Sequence, residues 1–321
     1  MMMQTDALAR DSLVTIIGGS GFLGRYLVQR LAAHGCRVRV GVRHPERAGF
    51  LKPLGDVGQV SLVRVDIGSG QGLEQVFAGA TAGVNLVGIL DERGGQRFAD
   101  VQASGAGMAA RAAASAGVSA YVQVSAIGAD PASSIAYART KGEGEAAVLA
   151  ALPFAAILRP SLVVGPEDQF LNRFASMAAL APVLPVVSGE SRFQPVYVLD
   201  VAAAIVAALG LAGARGRIHE LGGPEVMRFR DIMAMINRET GRERPLLDVP
   251  DALARLMGRL GDVLPFVPMT SDQFAMLQKD NVVTPGMPGL AELGVAATPL
   301  SAFVPRMLAR YRAGGRFSAA A

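Results

Sequence analysis

Gly18-Gly19-Ser20-Gly21-Phe22-Leu23-Gly24 follows the apolar run Leu13-Val14-Thr15-Ile16-Ile17 and opens a helical stretch from Phe22 to Ala33. A strand, a glycine turn and a helix in this order make a pyrophosphate cradle. The free N–H groups of the first helical turn and the positive end of the helix dipole face the anion. Gly18 permits the tight turn, Gly21 lets the backbone approach the phosphates, and Gly24 lets the helix pack on the sheet. Ser20, Phe22 and Leu23 complete the cofactor-binding turn.

Short β-rich runs alternate with helical stretches downstream. Strands are expected at Leu13–Ile17, Arg37–Val42, Val60–Val65, Gly83–Val87, Ala120–Val124 and Phe154–Leu158. Helical stretches are expected near Phe22–Ala33, Pro45–Leu51, Gly72–Phe77, Phe98–Ala116 and Ile135–Ala151. This alternation predicts an α/β fold, a Rossmann-type doubly wound parallel sheet with right-handed crossovers. After Pro160 the rhythm breaks. A nucleotide-binding domain over 12–165, to which 194–222 returns, is expected beside a smaller, mostly helical substrate or partner domain over 166–193 and 223–312. Residues 1–11 and 313–321 read as tails.

Composition removes several classes of function. The chain has 321 residues, 51% hydrophobic and 18% charged, enough apolar matter for a sizeable core. No apolar run reaches the ~20 residues that span a bilayer, and residues 1–12 lack the apolar core of a signal peptide. Arginines are scattered over a net charge of +4, so no basic groove for nucleic acid is expected. His34, His44 and His219 lie far apart without metal-ligand spacing, and no metal is expected. The single cysteine, Cys36, excludes an intrachain disulfide and fits the reducing cytoplasm.

The second strand ends at Val42, and Arg43 stands nineteen residues after Gly24, where NAD sites place a carboxylate for the ribose hydroxyls. A guanidinium there can bond a 2′-phosphate in forked geometry, so NADP(H) is favoured over NAD(H). Tyr137 and Lys141, at i and i+4, share a helix face after the fifth strand, and Ser125 lies twelve residues upstream at that strand's end. The phenol can transfer a proton, a neighbouring ammonium favours its ionised form, and the serine hydroxyl can hold a substrate oxygen.

The Gly18, Gly21, Gly24 spacing together with Ser125, Tyr137 and Lys141 resembles the extended or atypical branches of the short-chain dehydrogenase/reductase superfamily. That resemblance implies contacts from Asp66-Ile67 to the adenine and from the chain at Leu86-Val87-Gly88 to the cofactor. It also implies that Lys141 bonds the ribose of the nicotinamide half.

Longer segments are similar to one family, the nucleotide-binding accessory subunit of respiratory complex I and its bacterial homologues. They are Asn85-Leu86-Val87-Gly88-Ile89-Leu90 and Arg159-Pro160-Ser161 with its continuation through Val163 to Phe174. Gln194 to Ala202, Glu220 to Pro224, and Thr270 to Val283 carry the same likeness. The resemblance implies an atypical reductase that holds NADPH without turnover, with Pro160, Ser161 and Val163 among the cofactor contacts. It implies complex I partners at the arm–membrane junction, with the protein peripheral on the inner face of the plasma membrane. Gln102 stands where many members carry histidine.

Three functions stay open on the residues alone: a structural NADPH-binding accessory protein of the NADH:quinone oxidoreductase; an active NADPH-dependent reductase, epimerase or dehydratase acting on a small carbonyl, sugar or isoprenoid-like molecule; and a sensor of NADP(H) poise. Leu253, Leu256, Met257 and Leu260 form one helical stripe, which is expected to pack within its own domain; a partner or membrane face is the alternative.

Overall fold

The computed structural model describes residues 8–264 and 269–315. Residues 1–7 of the N-terminal segment, 265–268 of the apolar loop after the leucine stripe, and 316–321 of the tail lie outside the described residues. The chain divides into two units. One comprises Met1–Pro160, Val198–Leu221 and Thr284–Ala296; the other Ser161–Tyr197, Gly222–Val283 and Ala297–Ala321. Among the described residues the α-helices are α1 (Phe22–Ala33), α2 (Leu73–Phe77), α3 (Gly105–Ser115), α4 (Ala136–Ala151), α5 (Leu171–Leu180), α6 (Val198–Gly210), α7 (Phe229–Glu239), α8 (Asp251–Val263), α9 (Ser271–Leu277) and α10 (Val304–Leu308).

The first unit is built on a seven-stranded sheet. Its strands are β1 (Leu13–Ile17), β2 (Arg37–Val42), β3 (Val60–Arg64), β4 (Ala82–Asn85), β5 (Ala120–Val124), β6 (Ala156–Pro160) and β7 (Ile218–Leu221). Their order is β7-β6-β5-β4-β1-β2-β3, with every pair parallel. This is the doubly wound arrangement the alternation predicts. The winding reverses between β1 and β4, so the crevice beyond their carboxyl ends is the ligand-binding place of such a sheet. All five residues of β1 are buried, as a strand covered on both faces requires. Its Thr15 hydroxyl is satisfied by donating to the Val76 carbonyl (2.8 Å). One face packs Ile17, Val65, Phe77, Val101, Tyr121 and Ile157 into a continuous apolar layer.

The sixth expected strand lies two residues later, at Ala156–Pro160; three other elements differ for local reasons. The fourth strand ends at Asn85, two residues early, because the Asn85 side-chain oxygen accepts the Val87 N–H (3.0 Å) and turns the chain out of the ladder. The helix expected over Phe98–Ala116 is a π-helical turn, Ala99–Ser104, followed by α3. At the join a Cβ on Gly105 would lie 2.9 Å from the Ile67 carbonyl oxygen. The helical stretch near Pro45–Leu51 is two 3₁₀ segments, Pro45–Arg47 and Gly49–Leu54, with Pro53 barred from α-type bonding.

The second unit packs α5, α7 and α10 around an aromatic cluster in which Phe229 meets Phe170 and Phe174 edge-on at 5.9 and 5.6 Å. Three short strand pairs tie its loops: Val163–Val164 with Val196–Tyr197, Arg192–Phe193 with Met227–Arg228, and Leu184–Val186 with Leu246–Asp248. Thr270 and Gln273 form a reciprocal capping box at the start of α9, which removes two unpaired backbone donors.

The seat of α1 depends on an absent side chain. A Cβ on Gly24 would lie 2.4 Å from the Gly19 carbonyl oxygen and 2.5 Å from the Gly19 Cα, both backbone atoms with no freedom to yield. Gly24→Ala is therefore expected to cost about 3 kcal/mol or more by overpacking. Urea denaturation of the variant beside the parent protein measures it.

Candidate functional site

The turn between β1 and α1 has the geometry of an anion cradle. Gly18 sits at φ +83°, in the left-handed region that favours glycine. A Cβ there would also meet the Val87 side chain at 2.9 Å. Gly21 is the N-cap of α1, with no side-chain cap and no acidic residue in the first turn. The first-turn N–H groups and the dipole end are thus left to an external acceptor. Gly21 differs from its neighbours: a Cβ on it would meet only the Gly18 carbonyl oxygen, at 3.4 Å. Internal packing does not demand glycine at this position, and the space it leaves clear is where a phosphate would lie.

Arg43 follows β2 and is exposed. Nearby Glu46 is engaged by His44 (3.1 Å), and Arg47 on the same segment is likewise exposed, so the strand tip is positive. Asp66 lies just past β3 and accepts the Gly68 N–H (3.0 Å), while Ile67 is buried in the apolar layer. Leu86 and Val87 are half-buried at the switch point, and the Leu86 N–H donates to the Ile17 carbonyl (3.0 Å). This bond fixes the Leu86-Val87-Gly88 segment beside the glycine turn. Asn85 anchors it from within by donating to the buried Gln123 amide oxygen (3.0 Å).

Lys141 and Gln102 meet beside Gly88, Tyr137 lies one turn before Lys141 on α4, and Ser125 follows β5 at the carboxyl edge of the sheet. A Cβ on Gly88 would lie 2.9 Å from the Lys141 Nζ and 3.5 Å from the Gln102 Oε1. Glycine at 88 therefore gives the ammonium its place. Gln102 comes from the π-helical turn, and its amide nitrogen donates to the Thr140 hydroxyl on α4 (3.3 Å). Gln102 Oε1 and Ser125 Oγ are buried without a hydrogen-bond partner among the described residues. Each orphan costs about 1–3 kcal/mol, a cost that a ribose or substrate hydroxyl would relieve. Tyr137 packs edge-on against Phe98 (6.0 Å). The unpartnered oxygens, the bare helix start and the clear space at Gly21 together fit a dinucleotide.

Burial sets the protonation of this group. Desolvation pulls the Lys141 ammonium down from 10.5 to about 8, against the opposing charge of Glu145. Desolvation pushes the Tyr137 phenol up to about 12. Because the protein shields them from water, both groups are shifted toward their neutral forms: the phenol keeps its proton at neutral pH, while Lys141 is still largely an ammonium at pH 7. Glu145 itself is held by Arg159, whose Nε and Nη2 donate to the two carboxylate oxygens at 2.9 and 2.6 Å. Arg159 also lies 3.7 Å from Glu220, and Glu220 accepts the Thr284 N–H (2.8 Å). This buried charge network beneath Lys141 leaves no signature in local sequence spacing.

Pro160 ends β6 in the same unit, with its carbonyl accepting the Ile127 N–H (3.2 Å). Ser161 and Val163 belong to the second unit. The Ser161 hydroxyl donates to the Asn281 carbonyl (2.8 Å), and Val163 lies in the strand pair with Val196–Tyr197. Gln102 was visible in sequence only as a departure from a family pattern. Its contact with the site follows from the π-helical turn.

Comparison with known proteins agrees with this geometry. Residues 14–222 match the model of the NAD dependent epimerase/dehydratase family. The chain is 36% identical over 318 residues to "NADH dehydrogenase [ubiquinone] 1 alpha subcomplex subunit 9, mitochondrial" of Arabidopsis thaliana, covering 94% of this chain and 79% of that one. It is 39% identical over 205 residues to a ceramide reductase of Caulobacter vibrioides, covering 64% of this chain and 62% of that one. Among solved structures, UDP-glucose 4-epimerase of Thermotoga maritima superposes with a TM-score of 0.68 at 16% identity, over 92% of this chain and 96% of that one. At that identity the likeness is one of fold.

Two outcomes follow from the site. Gly21→Ala is expected to leave urea stability within about 1 kcal/mol of the parent while weakening dinucleotide affinity at least tenfold, as titration calorimetry reads. Lys141→Met is expected to stabilise the nucleotide-free protein at pH 7, because it removes a desolvated charge. The unfolded chain holds the lysine proton to about pH 10.5 and the folded chain only to about 8. Stability of the parent therefore rises with pH across that window, by an amount on the order of 3 kcal/mol. The methionine variant loses that rise, and denaturation at several pH values shows it.

Proposed function

This chain belongs to the NAD dependent epimerase/dehydratase family, and on that premise we propose that it holds NADP(H) as a structural group in an accessory protein of the NADH:quinone oxidoreductase. The observation that carries the assembly role is the reach of the similarity. Identity to the Arabidopsis subunit runs through 94% of the chain, well beyond the nucleotide-binding region. The placement that goes with this role is the cytoplasmic side of the membrane, peripheral, at the arm–membrane junction. Co-purification of tagged endogenous protein tests it: oxidoreductase subunits and bound nucleotide are expected in the same native mass, and a lone, empty protein overturns it.

Arg43 supports the choice of NADP(H). It can bond a 2′-phosphate in forked geometry, and Glu46, the nearby acid, is already engaged by His44. Arg43→Glu is expected to weaken NADPH binding about tenfold or more and to leave NADH binding within a few-fold, because a charge-assisted pair is worth about 1.5–3 kcal/mol. Titration with each nucleotide measures both.

A second reading, an active reductase, is favoured by the unpartnered Ser125 hydroxyl and by the ceramide reductase relative, which points to a lipid-like carbonyl. When bound, the nicotinamide supplies hydride. Ser125 would hold the carbonyl oxygen, and Tyr137, whose phenol keeps its proton at neutral pH, would pass that proton to the oxygen. Lys141 would hold the ribose. Tyr137→Phe then abolishes turnover and spares nucleotide binding. An unchanged phenotype in that variant removes this reading and leaves the structural one.

A further inference from the structure

Helix α8 is inside out by the ordinary pattern of a surface helix. Leu253, Leu256, Leu260 and Val263 recur at spacings of three, four and three residues and form one stripe. They are 50%, 53%, 45% and 79% exposed. The stripe was expected to pack within its own domain; only Met257 joins a core, a small cluster with Ala254, Met269 and Phe274. The inward face is made of Ala254, Gly258 and Gly261. These residues are small because the chain entering α9 lies against them: a Cβ on Gly261 would fall 1.9 Å from the Met269 carbonyl oxygen, and one on Gly258 3.1 Å from the Ser271 Cα. The leucines are thus left about half exposed within their own unit, at roughly 1 kcal/mol of unused transfer free energy per side chain in water.

The charges of α8 are sorted about the stripe. Both acids turn to α9: Asp262 accepts the Ser271 N–H (2.9 Å), and Asp251 accepts from the Gln278 side chain (3.3 Å). Arg255 and Arg259 are exposed. Arg259 borders the stripe, three residues from Leu256 and four from Val263, with Arg255 one turn behind it. Aliphatic residues edged by arginine, on a helix too short to cross a bilayer, are the composition of a helix lying in a membrane interface. A protein partner is less well matched: hot spots centre on aromatic residues and arginine, but the apolar part of this face carries no aromatic and consists of leucine and valine, which are under-represented there. A second copy would set arginine against arginine.

We infer that the exposed face of α8 docks on an anionic lipid surface, with Leu253, Leu256, Leu260 and Val263 entering the acyl boundary and Arg255 and Arg259 meeting lipid phosphates. The inference goes beyond the nucleotide site and does not depend on it.

Flotation of the full-length protein with vesicles tests the inference, using phosphatidylcholine alone and phosphatidylcholine mixed with phosphatidylglycerol. The protein is expected to float with the mixed vesicles and to be released by added salt. Leu256→Ser with Leu260→Ser is expected to lower partitioning by roughly fivefold for each leucine. Arg255→Gln with Arg259→Gln lowers it by roughly fivefold for each arginine and removes the salt dependence. These substitutions are exposed, so melting temperature and NADPH affinity, measured on the same samples, stay at parent values and separate this test from the nucleotide reading. Failure of the parent protein to float with mixed vesicles overturns the inference. So does undiminished flotation of the leucine variant, or a parent dimer that the leucine substitutions dissolve without any vesicle binding.

Discussion

The fold hangs on the seat of α1 against the end of β1. Gly24 brings the helix so close to the Gly19 backbone that no side chain can stand between them. This contact aims the first helical turn at the switch point, where β1 and β4 part in the sheet order. The same approach positions Gly18 against Val87, so the glycine turn and the segment after β4 form one wall. The bare helix start, the clear space at Gly21 and the location of Arg43 at the tip of β2 gain their meaning from that wall.

The polar end of the crevice is held at an energetic cost. Lys141 is buried beside a glycine, over an acid that a bidentate arginine already occupies. Its ammonium is under-solvated, the Gln102 and Ser125 oxygens lack partners among the described residues, and the Tyr137 phenol keeps its proton to about pH 12. Unsatisfied polar groups in one crevice are what a protein tolerates where a ligand completes them. The same protonation state suits two roles. A neutral phenol can hold a nucleotide without reacting, and it can act as an acid toward a carbonyl. The relatives include a subunit of NADH dehydrogenase and a reductase.

The second unit shows small residues deciding what large ones do. In α8 the alanine and glycines take the inner face because the chain at 269–271 lies too near for anything bulkier. The leucines are displaced outward as a consequence. Periodicity identifies such a stripe but not the direction it faces, since a helix may bury either its large or its small face.

Much of this protein was legible in sequence because its signals are local. Strand, turn and helix follow one another within about twenty residues at 13–33, and β-rich runs alternate with helical ones up to Pro160. That order fixes a parallel doubly wound sheet through chain handedness alone. The i, i+4 spacing of Tyr137 and Lys141 likewise sets them on one face of α4. What the sequence could not supply was distance between segments far apart in the chain. The turn at Asn85, the Glu145–Arg159–Glu220 network, the approach of Gln102 to Lys141 and the outward leucines of α8 all depend on which backbones meet. Burial, and with it the shifted protonation of Lys141 and Tyr137, exists only once distant segments have excluded water together. Tertiary packing therefore decided the chemistry of the site, while the local pattern decided the architecture that carries it.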